Sequence, residues 1–147
     1  MSTRELEDAL AGLERLARSG DRPSHYVARH VLLTLGRALL TGDAAGAVAR
    51  AREAGRLCGE SWPAAIRDEL TLACGEFAQC LDPRFLDLPN YDGEYTRAAR
   101  SRLEDRLRAA EELGVALTSR ETDLLELADR VLAAWEERRG PADRESR

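Results

Sequence analysis

The sequence predicts an all-α fold. Its apolar residues recur every three or four positions over most of the chain, which is the spacing of one face of an α-helix. Aromatic residues make up only 5% of the chain, so the core has to be built from Leu, Ala and Val, a set that favours helices. No segment is convincing as a strand. We therefore expect one irregular bundle of about six antiparallel helices, because short connections place successive helices side by side.

The chain has the length of one ordinary domain. Its 147 residues are enough to bury a single core without disulfides or a metal ion. We expect this domain to occupy residues 1–139 and to contain an ordered loop rich in aromatic residues and proline at residues 82–94. Residues 140–147 are polar and include a proline, so we expect them to form a disordered C-terminal tail.

The first two predicted helices differ in how much polar surface they carry. The first spans about residues 3–19, since Ser2 and Glu5 have the spacing of a capping box and Gly20 suits the position just beyond the helix. The second spans about residues 24–40 and has few polar positions. We therefore expect the second helix to be the central and most buried one.

The third and fourth predicted helices each begin at a candidate cap. Gly42 ends the second helix, and Asp43 is suited to cap the third, at about residues 44–57. Ser61 is expected to cap the fourth helix, whose apolar residues keep a regular spacing over five turns. Proline in the first turn of this helix is tolerated, because that turn has no internal partner for a backbone N–H.

The fifth and sixth predicted helices follow the loop. The fifth spans about residues 92–113, has an apolar stripe that begins at Tyr95, and ends before Gly114. The sixth spans about residues 118–139. Thr118 and Glu121 have the spacing of a capping box at its start, directly before an apolar face that ends at a tryptophan.

The loop between the fourth and fifth helices, Asp82–Tyr95, contains three of the seven aromatic residues and two of the five prolines. A solvated linker has no physical need for aromatic rings. The loop is therefore expected either to pack across the helices or to present a binding surface. In the second case its large side chains would anchor a protein partner or a second subunit. These residues are Phe85, Leu86, Leu88, Tyr91 and Tyr95.

Small residues mark the hairpin that joins the second and third helices, at about Leu32–Leu57. Gly36 lies in its first helix, Gly42 in its turn, and Ala47 and Ala54 in its second helix. This pattern resembles a tetratricopeptide repeat, in which small residues allow two helices to cross closely. The resemblance implies a TPR-like helical hairpin in an interaction protein. A generic helical hairpin that follows the same packing rules is the alternative.

The charge pattern argues against a dedicated nucleic-acid-binding protein. All 22 cationic residues are Arg, but they are interleaved with acidic residues and the net charge is −5. Such arginine-rich composition is typical of a GC-rich bacterial genome. The richest basic segment, Arg97–Arg108, is expected to be a solvated helix face. An accessory role in nucleic-acid binding stays open for Arg97, Arg100 and Arg102.

No catalytic, cofactor or metal motif is present in the sequence. The three cysteines form no framework, which is typical of reduced thiols in a cytoplasmic protein, and Cys80, nearer the end of its helix, is expected to be more exposed than Cys74. We expect no membrane span. Three polar residues could line a pocket: His30 and Arg37 in the second helix, and Asp92 after the loop. His30 is expected to lie on the apolar face of the second helix.

The first hypothesis for function is therefore a non-enzymatic protein–protein interaction or adaptor protein, with a protein partner or a second copy of the chain as its ligand. The second is a small-molecule-binding protein, or an enzyme, that uses this pocket. The third is a nucleic-acid accessory protein. No cofactor or metal ion is expected.

Overall fold

The computed structural model describes residues 3–42 and 44–145, which form seven α-helices and no strand. In chain order the helices are α1 (Thr3–Ser19), α2 (His25–Thr41), α3 (Ala45–Cys58), α4 (Ser61–Gln79), α5 (Pro83–Leu86), α6 (Glu94–Glu112) and α7 (Ser119–Glu145). The prediction of an all-α bundle is confirmed, and six of these helices correspond closely to the predicted ones. The additional helix, α5, is a single turn inside the aromatic loop.

The predicted central position of the second helix is confirmed. Helix α2 packs against α1, α3, α4 and α6, and it contributes five apolar or small residues to the interior, namely Ala28, Val31, Leu32, Leu35 and Gly36. Its most extensive packing is against α6. Gly36 allows this approach, because a Cβ atom at that position would lie 2.0 Å from the carbonyl oxygen of Asp105. The small residue of the predicted hairpin therefore serves the contact with α6.

Several predicted helix ends are confirmed. Gly20, Gly42 and Gly114 have φ values of +76°, +82° and +85°, the left-handed conformation that glycine adopts most readily after a helix. At the start of α7 the Thr118 hydroxyl accepts a hydrogen bond from Glu121 N, and the Glu121 carboxylate accepts one from Thr118 N. The predicted capping box is therefore formed in full.

The prediction that Ser61 caps the fourth helix is wrong. Glu60 occupies the N-cap position without a capping hydrogen bond, and the Ser61 hydroxyl donates to the carbonyl oxygen of Cys58 at 2.7 Å. The preceding turn is so tight that this carbonyl is within reach of the hydroxyl. The predicted caps Ser2 and Asp43 lie outside the described residues.

The buried residues form one large core and a small second one. The large core joins α1, α2, α3, α4 and α6 and includes Ala128 of α7, whereas the second consists of Leu86, Leu132 and Trp135, which join α5 to α7. Helix α7 continues to Glu145, so it includes most of the segment that was expected to be a disordered tail. Among the described helices, none combines the length and the apolar character needed to cross a membrane.

Candidate functional site

The centre of the aromatic loop packs into the protein. Asp82 caps α5 by accepting a hydrogen bond from Arg84 N at 2.8 Å. One turn later Leu86 is buried, and its carbonyl oxygen accepts a hydrogen bond from the indole Nε1 of Trp135 at 2.8 Å. Leu86, predicted to contact a partner, therefore belongs to the second core.

Two further loop residues hold this arrangement in place. The Tyr91 ring lies 5.0 Å from the Phe85 ring and 5.8 Å from the Trp135 ring, measured between centroids. The Tyr91 hydroxyl accepts a hydrogen bond from Thr96 N at 2.8 Å, and the buried Thr96 hydroxyl donates to the carbonyl oxygen of Cys80. Phe85 and Tyr91 are half-buried as a result, and their rings are used mainly for packing.

Two of the five predicted partner-binding residues remain largely exposed. Leu88 retains 50% of its surface and Tyr95 retains 59%. Tyr95 was expected to begin the apolar stripe of its helix, but it lies outside the core with its ring 5.8 Å from that of Phe85. The centre of the aromatic loop thus packs across the helices, which was the first of the two alternatives predicted for it. An exposed aromatic surface remains at the end of the loop.

The three predicted pocket residues do not form an enclosed site. His30 and Arg37 are both exposed on α2, because the buried face of that helix is made by other positions. The expectation that His30 lies on the apolar face is therefore wrong. Asp92 is also exposed and accepts a hydrogen bond from Glu94 N, at the start of α6.

The predicted nucleic-acid-binding arginines are largely paired within the chain. Arg97 forms an ion pair with Glu136 of α7, and Arg100 donates a hydrogen bond to Asp129 at 3.1 Å. Arg102 is exposed and has no ion pair to a residue that the structure describes. Because their charges are neutralised locally, Arg97 and Arg100 offer little attraction to phosphate groups.

A buried carboxylate lies where α2, α4 and α6 meet. The side chain of Glu69 is completely buried, and its two carboxylate oxygens lie 2.7 Å and 3.1 Å from Nε of Arg29. Arg29 also donates to Glu76 at 3.2 Å. A buried carboxylate is stable only when it is paired, so Arg29 provides the main compensation for Glu69.

Arg106 is the second cation beside this carboxylate, and it is much less well satisfied. Arg106 is only 8% exposed, and its Nε lies 3.5 Å from Glu69. The geometry at this separation is not that of a hydrogen bond, and Nε has no hydrogen-bond partner among the described residues. Burial lowers the pKa of the Arg106 guanidinium, while the nearby Glu69 charge raises it. The charge of Arg106 is therefore incompletely compensated.

Arg106 lines a small cleft between α4 and α6, which we call the α4–α6 cleft. Its volume is about 70 Å³. Helix α4 contributes Ala73, Glu76, Phe77 and Cys80, and α6 contributes Tyr95, Ala99, Arg102 and Arg106. The cleft thus combines an exposed aromatic ring, an apolar wall and two arginines, neither of which donates a hydrogen bond within the described part of the chain.

The cysteines do not have the properties of nucleophiles. Burial raises the pKa of the thiols of Cys58, Cys74 and Cys80, so each is protonated at neutral pH. Cys80 was expected to be the more exposed of the last two, but it is buried and Cys74 is half-buried. No group of three His, Cys, Asp or Glu side chains is placed to hold a metal ion within residues 3–42 and 44–145.

The buried ion pair beside the cleft, between Glu69 and Arg106, was not predicted from the sequence. Glu69 lies between Ile66 and Leu70, and Arg106 lies between Leu103 and Leu107, so each is a charge inside an apolar stripe. A charged residue at a core position of a helix needs a partner on another helix. A charged residue within an apolar stripe was therefore a signal of a buried ion pair, although it does not identify the partner residue.

Comparisons with models of protein families, with curated proteins and with solved structures find no match to this chain.

Proposed function

We propose that this protein is a non-enzymatic interaction module that binds another polypeptide at the α4–α6 cleft. One observation carries the proposal: Tyr95 is 59% exposed at the edge of a cleft whose wall contains the buried, incompletely paired Arg106. Tyr and Arg are the residue types that contribute most to binding energy in protein interfaces.

The placement of Tyr95 supports this role. The Tyr95 ring packs against Phe85, which in turn packs against Tyr91. A side chain that is already supported loses less conformational freedom when a partner covers it, so more of the burial energy contributes to affinity. The packed centre of the loop therefore acts as the support for an exposed anchor.

Selection from a library of random linear peptides tests the proposal, with two tyrosine variants as a matched pair. Tyr95→Ala removes the anchor, whereas Tyr26→Ala removes a tyrosine that is 68% exposed on α2 and does not line the cleft. We expect peptides selected on the wild-type protein to lose roughly 10-fold or more in affinity for Tyr95→Ala, as is usual for an anchor residue. Their affinity for Tyr26→Ala should be unchanged.

Equal binding to both variants, or no enrichment of any peptide, would contradict the proposal. Native mass spectrometry of the purified chain covers the case in which the partner is a second copy. A dimer that Tyr95→Ala dissociates and Tyr26→Ala leaves intact would place the self-association at the α4–α6 cleft. A monomer that carries a stoichiometric small organic acid would instead indicate a small-molecule-binding protein.

A further inference from the structure

We propose that the α4–α6 cleft receives the carboxylate of an Asp or Glu side chain from the bound polypeptide, held by Arg106 and Arg102. This inference rests on the proposed function and names the chemistry of its ligand. The cleft and the buried charges behind it supply the argument.

Positive charge is in excess at this site. Among the described residues, three arginines meet there, Arg29, Arg102 and Arg106, and two carboxylates face them, those of Glu69 and Glu76. Both oxygens of Glu69 are engaged by Arg29, and Glu76 is also a partner of Arg29. Of the two arginines that line the cleft, Arg106 has one weak ion pair, with Glu69, and Arg102 has none among the described residues. One further negative charge would balance the site.

Burial makes the charge on Arg106 a stronger determinant of binding than a charge on the open surface. An exposed arginine is satisfied by water, whereas an arginine residue that is only 8% exposed has little access to solvent. A carboxylate is the natural complement of a guanidinium, because its two oxygens match the parallel N–H groups of the fork. Docking of a carboxylate would therefore provide hydrogen bonds that the folded chain itself does not provide.

The dimensions of the cleft limit what can enter. Its volume of about 70 Å³ is far below the ~300–1,000 Å³ of a typical pocket for a whole small molecule. That space suits a carboxylate group better than a nucleobase or a sugar ring. The ligand is therefore the end of a side chain whose remainder lies outside the cleft, which agrees with a polypeptide as its source.

The apolar lining adds a second requirement. Phe77 and Ala73 form the α4 wall, and the exposed Tyr95 ring borders the opening. The methylene groups of an acidic side chain, or an apolar residue next to it, would cover these surfaces while the carboxylate reaches the arginines. The expected recognition element is thus an acidic residue beside an apolar one.

The peptide selection described above also tests this inference. We expect the selected peptides to share an Asp or Glu, and a synthetic peptide with that residue changed to the matching amide to bind roughly 10- to 100-fold more weakly, the usual value of a charge-assisted hydrogen bond. The protein variants Arg102→Gln and Arg106→Gln should reduce the preference for acid over amide. Arg4→Gln, which removes one exposed charge from α1, is the control and should preserve it.

The outcomes separate the inference from the proposed function. Peptides that depend on Tyr95 but bind equally as acid and amide would overturn the carboxylate inference and leave the interaction module standing. Peptides whose binding does not depend on Tyr95 would overturn both the carboxylate inference and the proposed function. Arg106 contacts the buried Glu69, so its variant is first checked for folding by circular dichroism; if it does not fold, the exposed Arg102 decides the outcome.

Discussion

The packing of α2 on α6 predicts that replacing two helical glycines by alanine changes the stability of the fold in opposite directions. Gly36→Ala adds a methyl group 2.0 Å from the Asp105 carbonyl oxygen and 2.5 Å from its carbonyl carbon. Gly75→Ala adds the same group in the middle of α4, where no atom outside its own helix backbone lies within 4 Å. Both glycines are in helices, so the intrinsic gain of alanine over glycine applies to both and their difference isolates the packing term.

The size of the effect follows from the distances. The shortest ordinary contact of a Cβ atom is about 3.4 Å, so α2 and α6 have to separate by roughly 1.4 Å, the difference between 3.4 Å and 2.0 Å. Overpacking of this kind costs about 1–3 kcal/mol, and here the obstacle is backbone that cannot rotate away. The gain in helix propensity is at most ~1 kcal/mol. We expect Gly36→Ala to destabilise the fold by about 2 kcal/mol or more.

Thermal and urea unfolding of both variants are the appropriate assays. For a domain of this size, ~2 kcal/mol corresponds to a fall in Tm of roughly 4–8 °C. Gly75→Ala should instead raise the free energy of unfolding by about 0.5–1 kcal/mol. If Gly36→Ala stabilises the protein as Gly75→Ala does, then α2 and α6 are not in backbone contact at Gly36, and our account of the central packing is wrong.

Two further predictions concern the second core and the start of α7. Trp135→Phe leaves the buried Leu86 carbonyl oxygen without its hydrogen-bond donor. In urea unfolding it should therefore cost ~1–2 kcal/mol more than the control Trp62→Phe, because Trp62 Nε1 has no hydrogen-bond partner within the described residues. Equal costs for the two variants would argue against the hydrogen bond to Leu86. Burial raises the pKa of Glu121, but hydrogen bonds from Arg67 and from the Thr118 N–H outweigh it and lower that pKa below 4.5, the ordinary value expected in the unfolded chain. The stabilisation by Glu121 is therefore present above pH 4.5 and is lost as the pH falls through the pKa of Glu121 in the folded state. Glu121→Gln should be less stable than the wild type at pH 7, but it should lose less stability between about pH 5 and pH 3. Parallel curves of stability against pH for variant and wild type would refute this.

Local features of the chain predicted the helices and most of their ends. The spacing of apolar residues and the positions of glycines are determined by interactions within a few residues, so the capping box at Thr118 and the end of α2 at Gly42 are readable from the sequence. The short helix α5 was not predicted. It lies in a proline-containing loop and spans a single turn, and one of its contacts is the hydrogen bond from Trp135, a residue 49 positions from Leu86.

The candidate site shows where local reasoning ends. Tyr95 and Arg102 were identified as exposed binding residues, although for two different functions, and only the packing of α4 on α6 brings them into one cleft. His30 was placed on the wrong face, because its helix has more apolar residues than its buried face needs. A helical period alone does not specify which face is covered when two faces are apolar.

The sequence by itself determined that this protein is helical, where most of its helices begin and end, and that α2 is central, since these properties depend on neighbouring residues and on overall hydrophobicity. Only the tertiary structure decided which charges are compensated. Glu69 receives Arg29 from a helix 40 residues away, and Arg106 remains with a single long ion pair. Charge pairing depends on distances of a few ångströms between separate helices, and those distances are set by close approaches such as that of Gly36 to Asp105.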